Sequence, residues 1–146
     1  SLAELERSGG DEAAAESVLR TSLDQNPNSG PLLHALGLSL VRQMRGTEAL
    51  ERLAGAVRAT PENPNFAYVY AVALNEQGRK AEAIATLKSA LIRHPYDRDV
   101  LRGLVSYEAD SRDFASALAR AELLVRLEPE RTDIQRLVGQ LRQRTR

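Results

Sequence analysis

Residues 61–95 read PENPNFAYVYAVALNEQGRKAEAIATLKSALIRHP, and this stretch covers one full period of the chain. Its first and last residues, Pro61 and Pro95, lie thirty-four positions apart, and the same interval leads back to Pro27 and on to Pro129. A fixed period of this length is typical of stacked helix–turn–helix units. The four prolines therefore predict a chain built from repeated pairs of helices.

Each period is predicted to contain two helices, because its apolar residues recur at helical spacing. First helices are expected over about 30–44, 64–77 and 98–111, second helices over about 47–60, 80–94 and 114–128, and a last helix over about 132–145. Alanine recurs thirty-four residues apart, as Ala15, Ala49, Ala83 and Ala117. A methyl side chain repeated at one place predicts that two helices cross closely there.

Helix starts are predicted from capping residues at a constant place in the period. Ser29, Asn63 and Asp97 each follow a proline by two residues and are favourable N-caps. In the fourth period we expect Thr132 to cap instead, with Gln135 three residues later completing a capping-box pattern.

The turns between helices are predicted from glycines and short polar stretches. Gly46, Gly78 and residues 111–113 are expected to connect partner helices. A short helix over residues 1–8 is expected to end at Gly9–Gly10, with Asp11 capping the next helix.

Composition narrows the classes of partner and chemistry. The chain of 146 residues has 20 Lys+Arg and 20 Asp+Glu, a formal net charge of zero, which argues against nucleic acid or an anionic membrane as partner. It contains no cysteine, so disulfides and thiolate chemistry are excluded. No apolar run predicts a membrane span, since a span needs about 20 residues. The compartment stays open between cytoplasm and periplasm.

Catalytic and metal-binding patterns are absent from the sequence. Of the two histidines, neither His34 nor His94 has a carboxylate or second histidine at metal-ligand spacing. We find no Ser-His-Asp set, phosphate-binding glycine loop or cofactor fingerprint. The sequence therefore predicts no metal, no cofactor and no enzymatic activity.

The periodic residues resemble the tetratricopeptide repeat family. The unit starting at Gly30 matches at Leu33, Leu36, Gly37, Leu40, Ala49, Leu53, Ala56 and Pro61, and the next matches at Tyr70, Ala71, Leu74, Gly78, Ala83, Leu87, Ala90 and Pro95. A third unit matches less completely, because Val105, Glu108 and Arg112 depart from the pattern.

The resemblance implies an all-α fold, a right-handed α-solenoid of antiparallel helix pairs. We expect a single domain over 1–146, with a partial repeat at 1–29, full repeats at 30–63, 64–97 and 98–131, and a capping helix at 132–146. It also implies a non-catalytic scaffold that binds a peptide or helix in a concave groove lined by the first helices.

Repeat register places twelve residues on that groove. They are His34, Leu38, Val41 and Arg42; Tyr68, Val72, Asn75 and Glu76; and Arg102, Ser106, Ala109 and Asp110. Family members that grip a C-terminal carboxylate with Lys and Asn are not matched, because His34, Leu38 and Val69 hold the corresponding places.

Three alternatives remain beside this hypothesis. The chain begins without Met and is interpreted as a piece of a longer protein, in which it could be an accessory domain of a bacterial enzyme or multihaem cytochrome-type protein. The stretch Tyr68–Leu74 is similar to arrays that follow such cytochrome domains.

A monomer is expected, but an uncovered apolar side of residues 11–25 would permit self-association. Five arginines from Arg131 onward could meet an acidic partner, although a solvated cap-helix face is favoured.

Overall fold

A computed structural model of the chain describes residues 2–146, with side chains described from Gly10 onward. This part of the chain forms eight α-helices and contains no strand. The helices are α1 (Leu2–Gln25), α2 (Gly30–Arg42), α3 (Gly46–Ala59), α4 (Pro64–Glu76), α5 (Lys80–Arg93), α6 (Arg98–Asp110), α7 (Phe114–Leu127) and α8 (Thr132–Arg144). The predicted all-α class and the predicted helix positions from residue 30 onward are confirmed.

The chain divides into two compact units at residue 73, inside α4. The N-terminal unit ends at Ala73 and the C-terminal unit begins at Leu74. The predicted division into three full repeats, a partial repeat and a cap stays a prediction.

In the N-terminal unit, α1 and α3 both pack against α2. Its core includes the cluster of Leu23, Leu33, Leu36, Leu40, Ala49, Ala56 and Phe66. Gly37 of α2 lies so close to α3 that a Cβ added there would come within 2.6 Å of the Leu53 side chain. Ala49, one of the four alanines predicted at helix crossings, is fully buried, whereas Ala15 at the same place one period earlier is exposed.

In the C-terminal unit, α6 packs against α5 and α7, and α7 packs against α8. Its core includes the cluster of Leu101, Val105, Ala117, Ala121, Leu124, Ile134, Val138 and Leu141. The last three lie on one face of α8, whereas its arginines are exposed. A helix with one apolar face is what an end helix needs, so the predicted amphipathic character of α8 is confirmed.

The three capping predictions are confirmed by hydrogen bonds. The Ser29 hydroxyl accepts from the Leu32 backbone N–H at 3.3 Å, and the Asp97 carboxylate accepts from Val100 at 3.0 Å. The Asn63 side chain accepts from the Asn65 N–H at 3.0 Å. Each therefore satisfies one of the donors that a helix start leaves free.

The predicted N-cap residue of the last helix is wrong, although the helix begins at Thr132 as predicted. Arg131 occupies the N-cap without a capping side-chain bond, and Thr132 is already helical. The capping box does not form, because Thr132 is not the N-cap. The Gln135 side-chain amide donates to the Pro129 carbonyl at 2.6 Å.

The predicted break at Gly9–Gly10 is also wrong. One helix, α1, runs from Leu2 to Gln25 through both glycines. Glycine costs only about 1 kcal/mol relative to alanine inside a helix, so the helical residues on either side can outweigh it.

The turn predicted at Gly46 is displaced as well. Gly46 is the first residue of α3, and the left-handed residue of this turn is Met44, with φ of 62°. The next two turns have their left-handed residue at the equivalent place, which is Gly78 with φ of 77° and Arg112 with φ of 64°. Both lie where the sequence predicted a turn.

Candidate functional site

First-helix residues of the C-terminal unit meet the last helix around one open cleft of about 360 Å³. We call it the C-terminal cleft. Its lining residues are Arg102, Val105, Ser106, Ala109 and Asp110 of α6, Leu124 of α7, Arg131 just before α8, and Asp133, Ile134 and Leu137 of α8. All four groove residues predicted on α6 are therefore brought together, and they share the cleft with residues of α8.

The base of the cleft is apolar and rigidly packed. Val105, Leu124 and Ile134 belong to the core of the unit and are at most 5% exposed. Leu137 and Ala109 are half-buried beside them, and Ser106 is exposed. An apolar base below an exposed polar residue is suited to receive a side chain from outside.

Charged side chains surround this base and are held by neighbours. Arg102 donates to Glu128 at 2.6 Å and pairs with Asp99 at 3.4 Å. Arg131 donates to Asp133 at 2.8 Å, and this bond lowers the pKa of the Asp133 carboxyl to about 2.

At the end of α6, Asp110 lies 3.5 Å from the ammonium of Lys80. Both ends of the cleft thus carry charges whose partners fix their position.

The groove residues predicted in the N-terminal unit have different surroundings. His34 stacks on Phe66 with ring centroids 4.4 Å apart and the planes inclined by 22°. Burial lowers the pKa of His34, and its buried Nδ1 has no hydrogen-bond partner among the described residues. The neutral ring therefore serves as a packing element. Leu38, Tyr68 and Val72 are half-buried.

The remaining groove residues lie at the ends of their helices or near them. Val41 and Asn75 are half-buried, and Glu76 is exposed as the last residue of α4. Their placement neither joins them to the C-terminal cleft nor assigns them a ligand.

Arg42 belongs to an ionic network that joins α1 to α2. It donates to Glu12 at 2.5 Å, and the Ser39 hydroxyl donates to the same carboxylate at 2.7 Å. Hydrogen bonds from Arg42 and Ser39 lower the pKa of Glu12. Ser39 is fully buried, so Glu12 supplies the acceptor that its hydroxyl needs.

The network continues toward α3. Glu16 accepts from Arg20 at 2.7 Å, from Arg45 at 2.7 Å and from Gln43 at 3.0 Å. Glu48 accepts from Arg20 at 2.5 Å and from Arg45 at 2.6 Å. We call this set the N-terminal clasp; its members are Glu12, Glu16, Arg20, Ser39, Arg42, Gln43, Arg45 and Glu48.

Sequence reasoning did not find the clasp, because its main contacts join residues 27 to 30 positions apart. The sequence did contain one sign of this network, because Glu12 and Glu16 lie one helical turn apart and so share a face of α1. In the structure that face meets the basic residues near the end of α2. Arg42 is thus occupied by a contact within the unit.

The described residues contain neither a membrane-spanning helix nor a cluster of metal ligands. From residue 2 onward, no helix has both the length and the apolarity to cross a bilayer. Within the same residues, no three His, Cys, Asp or Glu side chains are grouped so as to hold a metal ion.

Comparison with known proteins agrees with the repeat period and the helix pairs. Residues 34–98 match a tetratricopeptide repeat family model. This stretch of the chain consists of tetratricopeptide repeats. The family resemblance predicted from the sequence is therefore confirmed, and these repeats are found in proteins that are generally non-catalytic scaffolds for protein–protein interaction. No curated protein sequence matches the chain.

Solved structures of tetratricopeptide repeat proteins have the same fold. MamA is 19% identical with a TM-score of 0.77, over 97% of this chain and 82% of its own. YrrB, described as having an unusual peptide-binding site, is 19% identical with a TM-score of 0.74, over 95% and 72%. PilF of Pseudomonas aeruginosa is 25% identical with a TM-score of 0.73, over 96% and 63%. The predicted solenoid fold class is confirmed.

Proposed function

We propose that the chain is a non-catalytic scaffold that binds a peptide or helix of a partner protein, and that the C-terminal cleft is where it does so. The observation that carries this proposal is the meeting of Arg102, Ser106, Ala109 and Asp110 with α8 around one apolar base. The groove residues predicted on α2 and α4, which are His34, Leu38, Arg42, Tyr68, Val72 and Asn75, stay predicted partner contacts and carry no part of the proposal for the cleft.

The cleft favours an amphipathic segment over a small molecule. Its apolar base is suited to an apolar side chain, while Ser106 and the charged rim surround that base and are suited to polar groups of the same segment. Arginine is also enriched among residues that dominate binding energy at interfaces. Arg102, whose side chain is 36% exposed, is the anchor we expect at the rim.

The test begins with selecting binding peptides from a displayed random library on the immobilised chain. Ser106→Arg should abolish capture of the selected peptides, because the new side chain would lie over the apolar base. Arg102→Ala should weaken their binding about tenfold, the effect of losing a charged hydrogen bond. Tyr68→Ala tests separately whether the groove residues predicted on α4 contribute to binding.

The matched control is Ala119→Arg, which places the same charge on an exposed position of α7 in the same unit. It should leave peptide affinity unchanged. Equal loss of binding in both arginine variants, or full binding by the Ser106→Arg variant, would assign the site elsewhere. Circular dichroism of each variant verifies that helicity is retained.

A further inference from the structure

A second concave site lies in the N-terminal unit, between the α1–α2 loop and α3. It encloses about 600 Å³ and is lined by Asn28 of the loop, Leu33 of α2, and Arg52, Gly55 and Arg58 of α3, among others. Gly55 has no side chain, which leaves open the space between Leu33 and Arg58. A Cβ added at Gly55 would occupy that space, 3.3 Å from the Leu33 side chain and 4.0 Å from the Arg58 guanidinium. We call it the arginine pocket.

Arg52 and Arg58 both line this pocket without a partner. Neither forms an ion pair or hydrogen bond with any described side chain, and the Nε of Arg52 is buried without an acceptor. A buried charged donor without an acceptor is unfavourable, because water has been removed and nothing replaces it. Glu51 also lines the pocket, but it is exposed and pairs with neither arginine.

The equivalent arginine two periods later shows one partner that an arginine can have at the position of Arg52. Arg120 lies two periods after Arg52, on α7, and its Nε donates to the buried carboxylate of Glu108 on α6 at 3.3 Å. The residue two periods before Glu108 is Leu40. The same arginine therefore has an internal carboxylate in one helix pair and an aliphatic side chain at the acceptor's place in the other.

We propose that the arginine pocket binds a carboxylate from an acidic side chain of a partner protein. The external carboxylate gives Arg52 the anionic partner that Glu108 gives Arg120. Arg52 and Arg58, which both line the pocket, supply the two guanidinium groups. The amide of Asn28 and the side chain of Leu33 line the pocket around the incoming residue.

The test observes arginine Nε–Hε signals by NMR in the full chain, titrated with N-acetyl-Leu-Glu-amide, with the isosteric N-acetyl-Leu-Gln-amide, and with inorganic phosphate. We expect the glutamate peptide to shift the Arg52 signal and the glutamine peptide not to shift it. Arg52→Gln and Arg58→Gln should each weaken the glutamate peptide about tenfold, judged from signals of backbone amides around Gly55.

Arg126→Gln is the matched control, because Arg126 lies two periods after Arg58 on an exposed face of α7. It should bind the glutamate peptide as the unaltered chain does. Three results would overturn the proposal: no shift at Arg52 with millimolar glutamate peptide, equal shifts with both peptides, or a stronger response to phosphate than to the glutamate peptide. The arginine pocket lies in the other unit from the C-terminal cleft, so failure of one site leaves the other testable.

Discussion

Gly37 of α2 and Leu53 of α3 are in direct contact where their helices cross. A Cβ on Gly37 would approach the Leu53 side chain to 2.6 Å and its backbone nitrogen to 3.3 Å. Leu53 is fully buried, so it has no free space into which to move. The absence of a side chain at residue 37 therefore sets how closely α2 and α3 can pack.

We expect Gly37→Ala to destabilise the chain by about 1–3 kcal/mol, because it overpacks this crossing. Urea unfolding measures the change. Gly139→Ala is the matched control: Gly139 lies inside α8 with nothing within 4 Å of an added Cβ. That substitution should stabilise the chain by up to about 1 kcal/mol through helix propensity alone. Equal effects at the two sites would refute the packing argument.

The left-handed residue Met44 provides a second prediction. Its φ is 62° and its side chain is 91% exposed, so its conformation is strained while it packs against very little. Met44→Gly should raise stability by about 0.5–1 kcal/mol, since glycine adopts this conformation without the steric penalty.

Gly78, with φ of 77° in the equivalent turn, gives the reverse test. Gly78→Ala should lower stability, even though nothing lies within 4 Å of its added Cβ. Thermal unfolding of both variants compares the two turns. A loss of stability on Met44→Gly would show that the unfolded chain's entropy dominates there.

The N-terminal clasp predicts a dependence on pH. The Arg42 and Ser39 hydrogen bonds hold the pKa of Glu12 below its ordinary 4.5. A depressed carboxyl pKa contributes stability that is fully present above the ordinary pKa and is lost as pH falls through the folded value. Amide exchange in α1 should therefore become faster, relative to its intrinsic rate, as pH falls below 4.5.

Glu12→Gln should accelerate exchange in α1 already at pH 7 and reduce the further change on acidification. Glu62→Gln is the control, because Glu62 is exposed and forms no ion pair among the described residues. A molar salt concentration should act in the same direction as acid by screening the exposed pairs. If amide exchange in α1 is the same in the Glu12→Gln variant, apolar contacts such as those of Leu23 are sufficient to keep α1 packed on α2, and the prediction is wrong.

The buried pair Glu108 and Arg120 yields a fourth prediction. Glu108 is 1% exposed, and its Oε2 has no hydrogen-bond partner among the described residues. Removing its cation by Arg120→Thr should cost about 3 kcal/mol, because a buried carboxylate would be left uncompensated.

The double variant Glu108→Leu with Arg120→Thr should recover most of that loss. These are the residues one period earlier, Leu74 and Thr86, where Leu74 is fully buried. Replacing a buried ion pair with apolar packing is often neutral or stabilising. Denaturant unfolding of the two variants provides the measurement, and a double variant no more stable than Arg120→Thr would contradict the prediction.

Much of the fold was predictable because the residues that specify it are local and periodic. Ser29 and Asp97 cap their helices through bonds to residues three positions on, so their role is visible in the sequence. Ala49, Ala83 and Ala117 are fully buried, as their spacing predicted, whereas Ala15 at the same place in the first period is exposed. The α6 residues of the C-terminal cleft followed from the same register.

The failed predictions share a different physical origin. Two glycines at 9–10 looked like a helix end, yet the flanking residues keep α1 continuous. Met44 and Arg112 have left-handed φ although neither is glycine, because the helices on both sides fix the path of the turn. In each case surrounding structure overrides a weak local preference.

The sequence by itself determined the period, the helix pairs, their caps and the small residues at their crossings, since these depend on contacts within one or two turns. Only the tertiary structure decided that Glu12 binds Arg42, that α8 completes the C-terminal cleft, and that Arg52 lacks the carboxylate that Arg120 possesses. Those relationships depend on which side chains from distant helices meet, and the pairing of charges across helices is set by packing that no local pattern records.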